Sequence, residues 1–267
     1  MGIKHFMDLR EYRIKNKDNF IRHPWEIAKA NIVKKILLRH YHKKTANILD
    51  IGTGDGFYLG QICNLFDQAK GIGFDINLSP KEEKNLNTVF KKLNITFTGQ
   101  QSTAIDFCKK NKIDIICLMD VLEHIKDDSS FLSNILKEYN LKSDSCFLIT
   151  VPAFNKIFSN HDTNMKHYRR YTKKTLITLL QQNNLEILEI GYFFSSLLFL
   201  RMLTFFKEKM VKSNKKTKNP INWSYGKFLA RITKNILMSD FYFNQFLKKL
   251  NIDLPGLSIY AIVKVRK

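Results

Sequence analysis

An α/β fold on a doubly wound, seven-stranded sheet is what the sequence predicts, and three observations carry that prediction. The 267-residue chain is 44% hydrophobic, enough to bury a core and too much for a disordered segment. From Asn47 onward, short β-rich runs alternate with amphipathic stretches, as βαβ units on a parallel sheet require. The first of those runs leads straight into clustered glycines, which let backbone approach a ligand at the end of a strand.

The elements follow in order. Residues 23–42 open at Pro24 and place Trp25, Ala28, Ile32, Ile36 and Leu37 at helical spacing, so a leading amphipathic helix is expected. Strands are predicted at 47–51, 71–76, 95–97, 113–118 and 146–151, with helices near 57–66, 81–92, 102–111 and 128–139 between them. A fifth helix of this series at about 173–183, a strand at 186–192 and a last strand at 258–265 complete the sheet. The implied division is an N-terminal helical segment (1–45), a main domain (46–192 with 257–267) and a helical, basic insertion (193–256).

The formal charge of +20 rests on 35 Lys but only 9 Arg, which reads as coding-sequence bias rather than a surface of anion-gripping guanidinium forks. Its distribution is uneven: residues 191–267 hold 15 basic and 3 acidic residues, against 29 and 21 in the rest. Cys63, Cys108, Cys117 and Cys146 lie in apolar segments without metal-type spacing, so they are expected to be buried thiols in a reducing compartment. The first ten residues hold no apolar run of signal-peptide type, and a cytoplasmic protein is expected. Residues 193–206 are apolar but interrupted by Arg201, and too short for the ~20 residues that span a bilayer. Lys207, Lys209, Lys212, Lys215, Lys216 and Lys218 follow. Two readings stay open for 193–218: peripheral contact with a membrane, or a helix buried against the main domain beside a solvated basic loop.

The strongest motif is Ile48-Leu-Asp-Ile-Gly-Thr-Gly-Asp-Gly-Phe57. A dinucleotide fingerprint G-x-G-x-x-G would need glycine at position 57, where Phe57 stands, and this disfavours NAD. Asp75 ends the next strand about 20 residues on, where a carboxylate accepts ribose hydroxyls.

Together, Asp50-Ile-Gly-Thr-Gly-Asp-Gly56, Gly71-Ile-Gly-Phe-Asp75 and Asp120-Val-Leu-Glu-His-Ile125 resemble class I S-adenosylmethionine-dependent methyltransferases, in matching order over residues 47–192. The resemblance implies a Rossmann-like methyltransferase sheet, with S-adenosyl-L-methionine as cofactor and S-adenosyl-L-homocysteine as product. It implies Asp50 near the cofactor's amino group, Gly52, Thr53, Gly54 and Gly56 under its methionine part, and Asp75 on the ribose hydroxyls. Ile76, Asp120 and Val121 complete the implied cofactor set. Where relatives carry an acid near adenine, this chain reads Gly99-Gln-Gln-Ser102, and Gln100 takes that expectation.

Val151-Pro-Ala-Phe and the pattern HDxxxxHxRRY over His161–Tyr171 resemble the quinone-biosynthesis-like subgroup, as do His23-Pro-Trp-Glu26 and Leu254-Pro-Gly-Leu-Ser258. Many members of that subgroup are found with cell-envelope or lipid-linked sugar pathways. The loop follows the fifth strand and is expected over the carboxyl edge of the sheet, where ligands bind. His124, His161 and His167 are therefore candidate bases, and Arg169, Arg170 and Tyr171 candidate acceptor-binding residues. The alternative is that the same side chains order the loop by pairing among themselves. Asp120, Glu123 and His124, with His161 or His167, offer ligands to a divalent metal. The reading preferred is that they brace the cofactor pocket without one, because Asp120 is shorter than the Glu found in metal-holding relatives. The function expected is O-methylation of a small-molecule or lipid-linked acceptor of quinone, polyprenyl or glycan type. The alternatives are an RNA methyltransferase, ranked lower for want of an RNA-binding module, and a non-catalytic cofactor-binding partner protein. Nothing in the sequence sets an oligomeric state.

Overall fold

The computed structural model describes residues 21–139, 141–210 and 225–266. Residues 1–20 of the N-terminal segment and 211–218 of the basic stretch lie outside the described residues.

Helix α1 (Pro24–His40) starts at a proline, whose missing N–H costs nothing in the first turn, and His23 Nδ1 accepts from the Trp25 amide at 3.4 Å. Ala28, Ile32 and Ile36 recur every fourth residue and are fully buried. The chain continues through β1 (Thr45–Ile51), α2 (Phe57–Cys63), β2 (Gln68–Phe74), α3 (Pro80–Val89), β3 (Ile95–Thr98), α4 (Gln101–Lys110) and β4 (Ile113–Met119). Then come α5 (Asp128–Glu138), β5 (Leu141–Pro152), the short α6 (Asn160–Asn164), α7 (Lys173–Gln182) and β6 (Leu185–Phe193). Helices α8 (Ser195–Met210) and α9 (Gly226–Lys249) precede β7 (Ser258–Val265). The insertion is helical on both sides of 211–224, and residues 207–210 form the end of α8.

The seven strands form one sheet in the order β3-β2-β1-β4-β5-β7-β6. Strand β7 runs antiparallel to both neighbours and the other described pairings are parallel, so the sheet is mixed where alternation alone suggested a parallel one. Hydrophobic alternation reports which face a strand buries and says nothing of its direction. β4 is buried at every position, as a central strand covered on both faces should be. One face packs on α1, α2 and the buried side of α9 through Ile32, Ile36, Leu59, Leu237 and Phe241. The other packs on α4, α5 and α7 through Ala104, Leu132 and Leu176. The four cysteines are buried, and burial raises each thiol above its ordinary value. The chain order reverses between β1 and β4, so the carboxyl ends of these strands open a crevice.

Candidate functional site

The site begins where β1 ends. Gly52, Gly54 and Gly56 take φ of 74°, 55° and 75°, a left-handed region that glycine enters without strain. A Cβ on Gly52 would stand 2.7 Å from Val121 Cγ2 and one on Gly56 2.5 Å from Phe97 Cζ, whereas Gly54 faces open space. Gly54 therefore presents bare backbone to a ligand. Thr53 is buried and packs against Gly73, where a Cβ would meet its Oγ1 at 2.6 Å.

Asp75 sits one residue past β2. Its Oδ2 accepts from the Gly54 amide at 3.2 Å and its Oδ1 from the Asn77 amide at 2.9 Å, so the glycine turn and the carboxylate hold each other in place. Ile76 beside it is 79% exposed, an apolar side chain standing in the crevice. Asp50 is 1% exposed and its Oδ1 has no hydrogen-bond partner. Burial pushes its carboxyl up to about 7, the Thr53 hydroxyl opposing the rise and the charges of Asp75 and Asp55 adding to it. A buried acceptor without a partner, next to an open backbone cradle, is completed by a ligand that brings a donor. These residues fit the amino-acid end and the ribose of S-adenosylmethionine.

The third wall comes from the end of β4. Asp120 has a φ of 57°, rare for a non-glycine residue. Its amide donates to the Thr150 carbonyl at 3.0 Å, and Thr150 Oγ1 donates to Asp120 Oδ1 at 3.0 Å, which holds the turn against that strain. Its other oxygen pairs with Lys29 of α1, a lysine only 1% exposed that also lies 5.7 Å from the centre of the Tyr58 ring. Arg22 pairs with Asp55 at 2.7 Å and stacks on Phe57 at 3.9 Å. Sequence reasoning missed Arg22 and Lys29. A signal existed for Lys29, which stands three residues before Ile32 on the apolar stripe of α1, where a charge needs a partner.

These walls enclose a cleft of about 650 Å³, within the range of small-molecule sites. Of the residues singled out from sequence, Gly52, Asp75, Ile76, Asp120, Val121 and His124 line it. Gln100 does not. It is the extended residue before α4 and faces solvent, whereas Gln101, opening the helix, reaches the cleft and donates to Glu138 at 2.7 Å. Of the two neighbours, Gln101 and not Gln100 lines the cleft.

The His161–Tyr171 loop folds around a buried carboxylate. Asp162 is fully buried and accepts from Arg170 Nε at 2.7 Å and the Ser159 amide at 3.0 Å, while His167 Nδ1 lies 3.1 Å away. Burial alone would raise its carboxyl, but the bonds from His167 and Arg170 hold it well below the usual range. Arg170 also donates to the Ala153 carbonyl at 3.2 Å, and Tyr171 donates to Asp128 at 2.7 Å, both from buried positions. The expectation that Arg170 and Tyr171 bind acceptor is corrected: they tie the loop to β5 and α5. Arg169 is partly exposed, pairs with Asp128 at 2.9 Å and donates to the Lys126 carbonyl. His161 stands in the first turn of α6 and is not part of the cleft wall. Lys166 and Tyr168, which sequence reasoning did not single out, form part of that wall instead.

His124 is where the loop meets the cleft. Its ring packs edge-on against His167 with centroids 4.6 Å apart. Burial first, then the neighbouring His167, lowers its pKa, so the imidazole is uncharged at neutral pH. Glu123 beside it is 1% exposed with Oε2 unpartnered, and burial raises its carboxyl well above the ordinary value. Ligand atoms of Glu123, His124 and His167 lie within 4.8 Å of one another, near enough to share a cation. Asp120, the first residue of the ligand set weighed from sequence, is turned to Lys29 instead.

Comparison with known proteins places this geometry. A family model described as a methyltransferase domain matches residues 25–190. The chain is 25% identical over 172 residues to a ubiquinone biosynthesis O-methyltransferase of Pelagibacter ubique, covering 60% of this chain and 70% of that one. It is 23% identical over 173 residues to the protein of the same name from Rickettsia bellii, covering 60% and 69%. Among solved structures, a candidate sarcosine dimethylglycine methyltransferase from Galdieria sulphuraria superposes with a TM-score of 0.59 at 13% identity, covering 97% of this chain and 98% of its own. A candidate methyltransferase in complex with a methyltransferase activator from Haloferax volcanii gives 0.55 at 13% identity, covering 100% and 98%. With the glycine turn, the paired Asp75 and the family match in agreement, the chain belongs to the methyltransferase domain family and is an S-adenosylmethionine-dependent methyltransferase.

Proposed function

We propose that the protein methylates a hydroxyl oxygen of a small-molecule or lipid-linked acceptor, with His124 as the base. The observation that carries this is a half-buried histidine in the wall of the cleft that Asp75 and Gly52 also line, with its pKa lowered by that burial. S-adenosylmethionine supplies a methyl group already activated on a sulfonium. What is left to the chain is to bind, to align and to accept a proton.

Gly54, Asp50 and Asp75 would hold the cofactor's amino-acid and ribose ends, and Ile76 would offer an apolar edge to its base. Lys29, by pairing with Asp120, keeps that carboxylate turned toward α1 and steadies the wall under the reacting centre. His124 would accept the hydroxyl proton as the oxygen–methyl bond forms and the sulfonium–methyl bond breaks, with S-adenosyl-L-homocysteine as the leaving thioether. His167, fixed by Asp162, packs against the His124 ring and sets its orientation. Tyr168 and Lys166, exposed residues of the cleft wall, are offered to the acceptor. Likeness to proteins named ubiquinone biosynthesis O-methyltransferase supports an oxygen acceptor of this class.

The test is incubation with methyl-labelled S-adenosylmethionine and a cell lysate, followed by separate counting of organic, small-molecule, RNA and protein fractions. Label in the organic or small-molecule fraction is expected. Label in RNA, which the charge of +20 would favour, overturns the acceptor class. Cofactor binding with no label in any fraction supports a non-catalytic partner instead.

A further inference from the structure

We propose that α9 docks the protein on an anionic lipid bilayer surface through its solvent-facing apolar stripe. Leu229, Ile232, Ile236, Phe243, Phe246 and Leu250 recur at spacings of three, four and seven, so they share one side of the helix. All six are exposed, from 39% at Ile232 to 57% at Phe246. The opposite side is already used. Ala230, Leu237, Phe241 and Asn244 are buried, Asp240 accepts from the Ser196 amide at 3.2 Å, and Lys248 donates to the Ile190 carbonyl at 3.1 Å. The helix is therefore fixed to the body by one face and offers the other. On α8, Phe199, Leu200, Met202 and Leu203 are exposed as well. A soluble surface rarely leaves so many large apolar side chains on adjacent elements uncovered without a partner. No described helix is long and apolar enough to cross a membrane, so an occupant would lie along the surface.

Charge selects the occupant. Residues 191–267 carry 15 basic and 3 acidic residues. Arg231 and Lys249 flank the stripe on the helix, and Lys35 of α1 lies 5.5 Å from the centre of the Tyr242 ring. Two copies meeting here would bring together chains of +20 each, whereas an anionic surface neutralises that charge. The inference does not rest on the identity of the methyl acceptor.

The experiment is flotation of the full chain with vesicles of phosphatidylcholine alone, or of phosphatidylcholine with roughly one third phosphatidylglycerol. The protein is expected to float with the anionic vesicles only, less so as salt rises. Phe243→Asp with Phe246→Asp should lower the bound fraction roughly tenfold, while the melting temperature and S-adenosylmethionine affinity stay those of the parent. Failure to float with anionic vesicles overturns the proposal, as does a double variant that floats equally well. A dimer in sedimentation analysis that the double variant dissolves assigns the stripe to a second copy and also overturns it. Cofactor affinity, read in the same samples, keeps these outcomes separate from any failure of the methyltransferase site.

Discussion

Asp75 does two things at once: its carboxylate organises the Gly54 amide and faces the cleft. Asp75→Ala should weaken S-adenosylmethionine binding by roughly 10- to 100-fold, the loss of hydrogen bonds to a charged group, and unchanged affinity by calorimetry would remove the pocket from this place. His124→Ala should cost on the order of 10²–10⁴ in turnover and leave cofactor affinity intact, which single-turnover methyl transfer and calorimetry together check. The sign of its pH dependence follows from the lowered pKa. The imidazole stays uncharged through neutrality and protonates only on the acid side of its ordinary 6.5, so the rate should be level near neutral pH and fall below it. A fall in rate on the alkaline side instead would remove His124 from the role of base. Asp75 and the glycine turn were legible as neighbours because such a turn and the carboxylate that pairs with it need particular residues at particular spacings. Which of Gln100 and Gln101 lines the cleft was not, because that is settled by where α4 starts.

At the scale of elements, the His161–Tyr171 loop folds around Asp162 and is tied by Arg170 and Tyr171 to the end of β5 and to α5. Asp162→Asn leaves Arg170 buried without its anion and should destabilise the protein by about 3 kcal/mol, read as a lowered melting temperature. Asp162 has its folded pKa below the unfolded one, so the stability it contributes is present above the ordinary 3.8 and lost as pH falls through the folded value. The deficit of the variant should therefore be full near neutral pH and shrink on acidification below about 4. A deficit that is constant with pH would show that packing, not charge, is what the substitution removes. The sequence pattern located this loop but assigned Arg170 and Tyr171 to the acceptor. Spacing along a chain does not say which side of a loop faces inward, and the buried carboxylate decided it. Helix α1 carries a related lesson, since the place of Lys29 on the apolar stripe calls for a partner without saying that the partner is Asp120.

For the whole molecule, the last strand is the keystone. β7 is hydrogen-bonded between β5 and β6 and supplies the fully buried Ile259, Tyr260, Ala261, Ile262 and Val263. Removing residues 257–267 would expose both neighbours and unseat β6, so the truncated chain should show no cooperative thermal unfolding by circular dichroism. A truncated chain that melts cooperatively would mean that β6 repairs the sheet without β7. The polar cluster at Glu189 adds to this. It accepts from Tyr260 of β7 at 2.7 Å, and His40 of α1 lies 2.8 Å away, so strand and leading helix close on the same carboxylate.

What the sequence by itself determined is the α/β class, the seven strands in order, the glycine turn with Asp75 at its side, and the methyltransferase chemistry these imply. All of these are local: a hydrophobic period, a backbone conformation that only glycine adopts freely, or a motif within a short span. Only the tertiary structure decided the antiparallel seat of β7, the pairing of Lys29 with Asp120, the inward turn of Arg170 and Tyr171, and the exposed side of α9. Each of these depends on contacts between residues far apart in the chain. Strand direction, burial and ion pairing are set where elements meet, and no window of sequence contains both partners.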